Sequence, residues 1–227
     1  MGLEEGFVRS YKKGDVIPEG AVFLDENSLL KIQEKKLKRL SKENLTSVLP
    51  LVYAPLVNTL TALTAGNFFL YHFRSTLNLA VTGKLGLGTH LLGIIIPSAS
   101  IFGVYQKGIV PAVLSGKVEC SICFETKLAL LQTGIGYVYP LLLTWVFSAI
   151  EARGHQTYPV PFNFGVGSGQ MLPFLRATAP KMSPMLMLLM GNISIAMGLG
   201  NQMQACYEKH FLKEFMIEKR ELYSLNK

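Results

Sequence analysis

The chain has 227 residues, 49% of them hydrophobic and only 16% charged, with a formal net charge of +7 and a mean hydropathy of +0.32. A soluble protein of this length would form one or two domains, but this balance marks a core largely embedded in lipid. That excludes most soluble enzyme classes, and no nucleic-acid partner is expected.

Residues 1–26 mix Gly6, Gly14, Pro18 and Gly20 with acidic side chains and show no period that would bury a face, so a loosely ordered segment is expected. The first residues lack the apolar core and small-residue cleavage site of a secretory signal. Glu4 and Glu5 disfavour an acid-poor transit peptide, so targeting information is expected within the mature chain. From Asn27 or Ser28, either a credible N-cap, a helix is predicted with Leu30, Leu37 and Leu40 near one side and six basic residues between Lys31 and Lys42. This amphipathic basic helix suits anionic lipid headgroups and equally suits an ordinary positive flank of a membrane span.

Four stretches then run without one Asp, Glu, Lys or Arg: Asn44 to Phe73, Leu85 to Gln106, Leu128 to Ile150, and Met182 to Tyr207, of 30, 22, 23 and 26 residues. A helix needs about 20 residues to cross the hydrocarbon. The fold class is therefore an all-α membrane protein, a bundle of four transmembrane helices. Its expected parts are a polar extension with a basic helix over 1–43, a four-span domain over 44–207 and a basic tail over 208–227. Pro50 and Pro55 place the start of the first continuous helix near Leu56, while Pro97 and Pro140 fall inside the second and third spans and predict kinks.

Basic residues divide unevenly between the two sides. The N-terminal 43 residues carry nine, the middle loop three (Lys107, Lys117, Lys127) and the tail five; this face totals 17, against five (Arg74, Lys84, Arg153, Arg176, Lys181) on the other. Both termini are accordingly expected on the cytoplasmic or mitochondrial matrix side.

Small residues mark candidate helix-packing positions: Ala62 and Gly66, Gly134 and Gly136, then Ser194, Ala196, Gly198 and Gly200, with Ser194/Gly198 and Ala196/Gly200 both reading small-xxx-small. They serve packing within the chain or against another chain. The run Val160–Leu175 is apolar and uncharged but too broken by Pro161, Pro173 and glycines to span, and is expected in the interface or against the bundle.

Chemistry-bearing motifs are sparse. Cys120 and Cys123 form a single CxxC in the middle loop, with no second pair to complete a structural zinc site and no βαβ setting for a thioredoxin-like role. It reads as an incidental or structural pair, or as a redox or metal pair. The charge-derived orientation places it in a reducing compartment, which argues against a permanent disulfide. The glycines of Gly165–Gln170 lack the Lys-Ser/Thr of a phosphate loop. No triad, paired carboxylate or metal-ligand spacing can be assembled, so neither enzymatic activity nor a cofactor is expected. Asn58, Asn67, His90, Gln132, Asn192 and Asn201 could line a transport path, although coupled transporters usually carry ionisable groups within the membrane and only His90 qualifies.

From Val118 onward the sequence resembles the transmembrane protein 126 family. The resemblance rests on Glu119, Cys120 and Cys123 before an apolar span, then Gly136, Tyr139 and Pro140 within it. Ala152 and Arg153 follow, ahead of a loop holding Pro159 and Pro161, and then a Met- and Gly-rich fourth span. Phe73-Arg74 and the Pro97-containing second span are similar to the family's first hairpin. Coverage is about residues 60 to 205. Gly154 departs from the aromatic residue usual there, and the N-terminal extension has no evident counterpart. The resemblance implies a multi-pass protein of the mitochondrial inner membrane, an assembly factor whose partners are complex I membrane-arm subunits and intermediates. The alternative is a small inner-membrane transporter or channel.

Overall fold

The computed structural model describes residues 26–82, 86–118, 120–161 and 171–212. The expectations for residues 1–25, Glu119, Gly165–Gln170 and the tail beyond Leu212 lie outside the described residues. Within them the chain is helical with no strand. Helix α1 covers Glu26–Glu43. The four helices long and apolar enough to cross a membrane are α2 (Leu45–Thr76), α3 (Leu87–Leu114), α4 (Ser121–Gly154) and α6 (Met182–Phe211). Between α4 and α6 lies the short helix α5, Met171–Thr178.

Helix α2 runs unbroken from Leu45 through Pro50 and Pro55, not from near Leu56 as the prolines suggested. In hydrocarbon a frayed turn would expose several backbone groups, whereas each proline forfeits a single N–H. The other spans answer their prolines differently. Each of three π turns, Leu91–Ile95, Tyr105–Ile109 and Gly134–Val138, ends two residues before a proline: Pro97, Pro111 and Pro140. A proline ring clashes with the carbonyl four residues back. That carbonyl belongs to Gly93, Lys107 or Gly136, inside the widened turn, which accommodates the ring.

Chain contacts divide the molecule into two compact units: Met1–Ala54, Val104–Glu125 and Gly198–Lys227 in one, Pro55–Gly103 and Thr126–Met197 in the other. In the first unit the Cys206 thiol donates to the Ser47 carbonyl at 3.2 Å, the Tyr207 and Phe211 rings stack, and Lys36 Nζ sits 5.2 Å over Phe211. Helix α3 ends here in a Schellman turn, with Gly116 N–H bonded to the Val113 carbonyl and Lys117 N–H to that of Ala112. Gly116 adopts φ +68°, and a Cβ there would stand 3.0 Å from Tyr207 Oη.

The second unit holds an apolar core: Ala65, Phe69, Phe73, Leu77 and Leu79 against Tyr137, Ala149, Ala152, Val160 and Phe174. Phe69 and Tyr137 meet edge to face at 5.1 Å. Short helix α5 is docked through Thr178, whose hydroxyl accepts from Trp145 Nε1 at 3.1 Å and whose carbonyl lies 3.1 Å from His72 Nε2. That carbonyl can only accept, so His72 carries its proton on Nε2.

Candidate helix-packing interface

Side chains are distributed as a lipid solvent demands. Asn58, Gln132, Thr144 and Ser148 are fully buried, while Leu60, Leu130, Leu142 and Met187 point outward. Within the second unit two polar clusters tie the spans. In the first, Gln132 Nε2 of α4 reaches three acceptors: the Asn58 carbonyl at 3.2 Å, Thr61 Oγ1 at 2.8 Å and Asn192 Oδ1 at 3.1 Å. Two N–H groups are shared among them, joining α2, α4 and α6 at one point. Asn192 Nδ2 turns back to the Leu188 carbonyl.

The second cluster closes the loop end of three spans. Arg74 of α2 pairs with Glu151 of α4 at 3.2 Å, both mostly buried, and Thr89 of α3 donates to Glu151 Oε2 at 2.9 Å. Gly86, just before α3, lies against this carboxylate: a Cβ there would collide with Glu151 Oε2 and stand 2.7 Å from Arg74 Nη1. The carboxylate thus sits beside the start of α3, where the helix dipole favours a negative charge.

The proposed small-residue positions sort into two groups. Ala62, Gly66, Gly136, Ala196 and Gly200 are buried. A Cβ on Gly66 would lie 3.3 Å from Ile94, and one on Gly136 would lie 2.7 Å from Gln132 Nε2. Gly134, Ser194 and Gly198 are exposed, and the two glycines have open space about them. So the two small-xxx-small pairs of α6 face opposite ways: Ala196/Gly200 inward, Ser194/Gly198 outward. Gly93 was not singled out, yet a Cβ on it would meet Thr144 Cγ2 at 2.6 Å, so α3 and α4 approach closely there. Its position four residues before Pro97 was the available signal. Of the motif residues, Pro140 is buried, while Tyr139 and Arg153 are exposed.

The outward side of α6 is unusually bare. Only 11% of its most hydrophobic stretch is buried, against 33–39% for the other three spans. Met182, Leu186, Met187, Met190 and Ile195 are exposed beside Gly191, Ser194 and Gly198.

Of the residues weighed as a transport path, Asn201 is exposed on α6. Asn58, Gln132 and Asn192 are bonded together, Asn67 donates to the Leu63 carbonyl of its own helix, and His90 Nδ1 lies 3.1 Å from the Gly86 carbonyl. The cysteines differ from expectation too: Cys120 and Cys123 are joined as a disulfide. Among the described residues no three His, Cys, Asp or Glu side chains gather as a metal site.

Fold and interface together define a four-span, all-α membrane protein with polar ties inside and one uncovered helix. The chain belongs to the transmembrane protein 126 family, whose model matches residues 27–216. It is 29% identical over 153 residues, 67% of either chain, to "Transmembrane protein 126" of Drosophila melanogaster. No solved structure matches. The family region starts at residue 27, so helix α1, for which no counterpart was evident in the sequence, belongs to it.

Proposed function

We propose that this protein is a non-enzymatic assembly factor of the mitochondrial inner membrane, which binds complex I membrane-arm subunits or their intermediates by helix packing. The single observation that carries the packing mode is the outward face of α6, a row of flexible methionines around Gly191, Ser194 and Gly198. Small residues let a second helix approach closely in lipid, and methionine adapts to varied surfaces. Complex I and the compartment come from the family resemblance, not from the geometry. The basic excess on the side of the termini supports a matrix orientation. Transport finds less support, because the Gln132 and Asn192 amides are bonded to each other.

Complexome profiling of mitochondria lacking the protein tests this reading. Membrane-arm intermediates are expected to stall, and the double variant Gly191→Leu/Gly198→Leu should fail to restore them while remaining folded. Normal intermediates in the absence of the protein would overturn the proposal. Full rescue by the double variant would overturn the assignment of the face.

A further inference from the structure

The loop between the second and third spans carries chemistry that helix packing leaves unused. Cys120 and Cys123 are both exposed and bonded to each other, with Ile122 between them 76% exposed. They stand at the start of α4: the Cys120 carbonyl accepts from Phe124 N–H at 3.1 Å, and the Cys123 N–H donates to Cys120 Sγ at 3.2 Å. The segment is held by Ser121, whose hydroxyl reaches Gln204 Oε1 and Glu125 Oε1. The third cysteine, Cys206, is buried, with its thiol on a carbonyl.

A bond between residues three apart removes far less chain entropy than one closing a long loop, so it is a poor staple. This one also lies at the mouth of a helix already held by its own hydrogen bonds. Its placement suits reactivity better. A sulfur receiving a backbone N–H at a helix N-terminus is stabilised as thiolate, and the thiolate is the attacking form.

We propose that Cys120 and Cys123 form a thiol–disulfide exchange site, with Cys120 entering mixed disulfides and Cys123 resolving them. In the oxidising half, the Cys120 thiolate attacks a disulfide on the co-reactant, expelling one of its sulfurs as thiolate. The Cys123 thiolate then attacks Cys120, closing the intramolecular bond and releasing the second sulfur. Two electrons pass from the pair to the co-reactant, and the two protons of the cysteine thiols end on the released thiols. The reducing half is the reverse, with two thiols as donor. The co-reactant is a glutathione-type couple or a protein dithiol couple, entering the oxidising half as the disulfide and the reducing half as the thiols. The exchange holds whichever side of the membrane the loop occupies.

The full-length protein in nanodiscs, equilibrated in glutathione redox buffers or with thioredoxin and then alkylated with a mass-tagged maleimide, tests this. The two cysteines should titrate together, with Cys206 unlabelled in the native state, and the arm that reduces the pair identifies its source of electrons. With oxidised glutathione, Cys123→Ser should trap a mixed disulfide on the order of tenfold faster than Cys120→Ser. A bond untouched by either reductant, equal trapping by the two variants, or a large fall in melting temperature on reducing the wild-type protein would each overturn the proposal.

Discussion

Gln132 lays its side-chain amide over Gly136, one turn further along α4, so closely that a Cβ on the glycine would stand 2.7 Å from Nε2 and 2.9 Å from Cδ. The glycine is the seat of the amide that joins three spans. Gly136→Ala should therefore dislodge that amide and lower stability by about 0.6–2 kcal/mol, the range found for hydrogen bonds between membrane helices. Gly134→Ala, in open space, should shift it by no more than about 0.5 kcal/mol. Thermal unfolding in detergent measures both. If the amide is the cause, Gly136→Ala should cost almost nothing further in a Gln132→Ala background.

A second pair governs the approach of α3 to α4. The Cβ of Gly93→Ala would meet the Thr144 methyl at 2.6 Å and the Thr144 Cα at 3.3 Å, so the helices must part by a few tenths of an ångström. A loss of about 1–3 kcal/mol is expected from such overpacking. Thr144→Ser deletes the methyl and keeps the hydroxyl that caps the Pro140 carbonyl. Combined with Gly93→Ala it should recover part of the loss, the backbone contact retaining the rest.

Breaking the Arg74–Glu151 pair tests the loop-end clamp. Glu151→Gln leaves a mostly buried guanidinium facing a neutral amide, and a destabilisation of about 3 kcal/mol is expected. Arg74→Met/Glu151→Leu removes both charges and should lie closer to wild type than Glu151→Gln alone, since apolar replacement of buried pairs is often neutral. An equally unstable double variant would show that the burial, not the pairing, is at fault.

Gln156 closes α4 at φ +53°. Its N–H bonds the Arg153 carbonyl, and Thr157 N–H that of Ala152, the turn that Gly116 makes after α3 at no steric cost. Gln156→Gly should stabilise by about 1 kcal/mol, read as a higher melting temperature.

The four spans were legible because charge is excluded from hydrocarbon, and the charge-free runs locate α2 and α6 closely. Helices α3 and α4 overshoot their runs, α3 past Lys107 and α4 back through Lys127 and Glu125. Long charged side chains reach the headgroups while their backbone stays helical, so a charge ends the apolar run and not the helix. The value of Gly66 and Gly136 was legible as small-residue spacing. That Ser194 and Gly198 face away from the chain was not, because periodicity gives a face without naming its neighbour. Arg74 and Glu151, 77 positions apart, offered no local pattern at all.

The three π turns make α3 and α4 intolerant of changes in length. Each turn holds one residue more than regular helix would, and one residue corresponds to about 100° of rotation about the axis. A single deletion between Leu91 and Ile95, or between Gly134 and Val138, would restore ordinary winding. It would also swing every side chain beyond it by more than a quarter-turn, and in α4 it would carry Gln132 out of register with Pro140. Substitutions on these helices alter one contact, whereas deletions would re-aim half a span, so homologous chains should vary here in residue type while keeping their residue count.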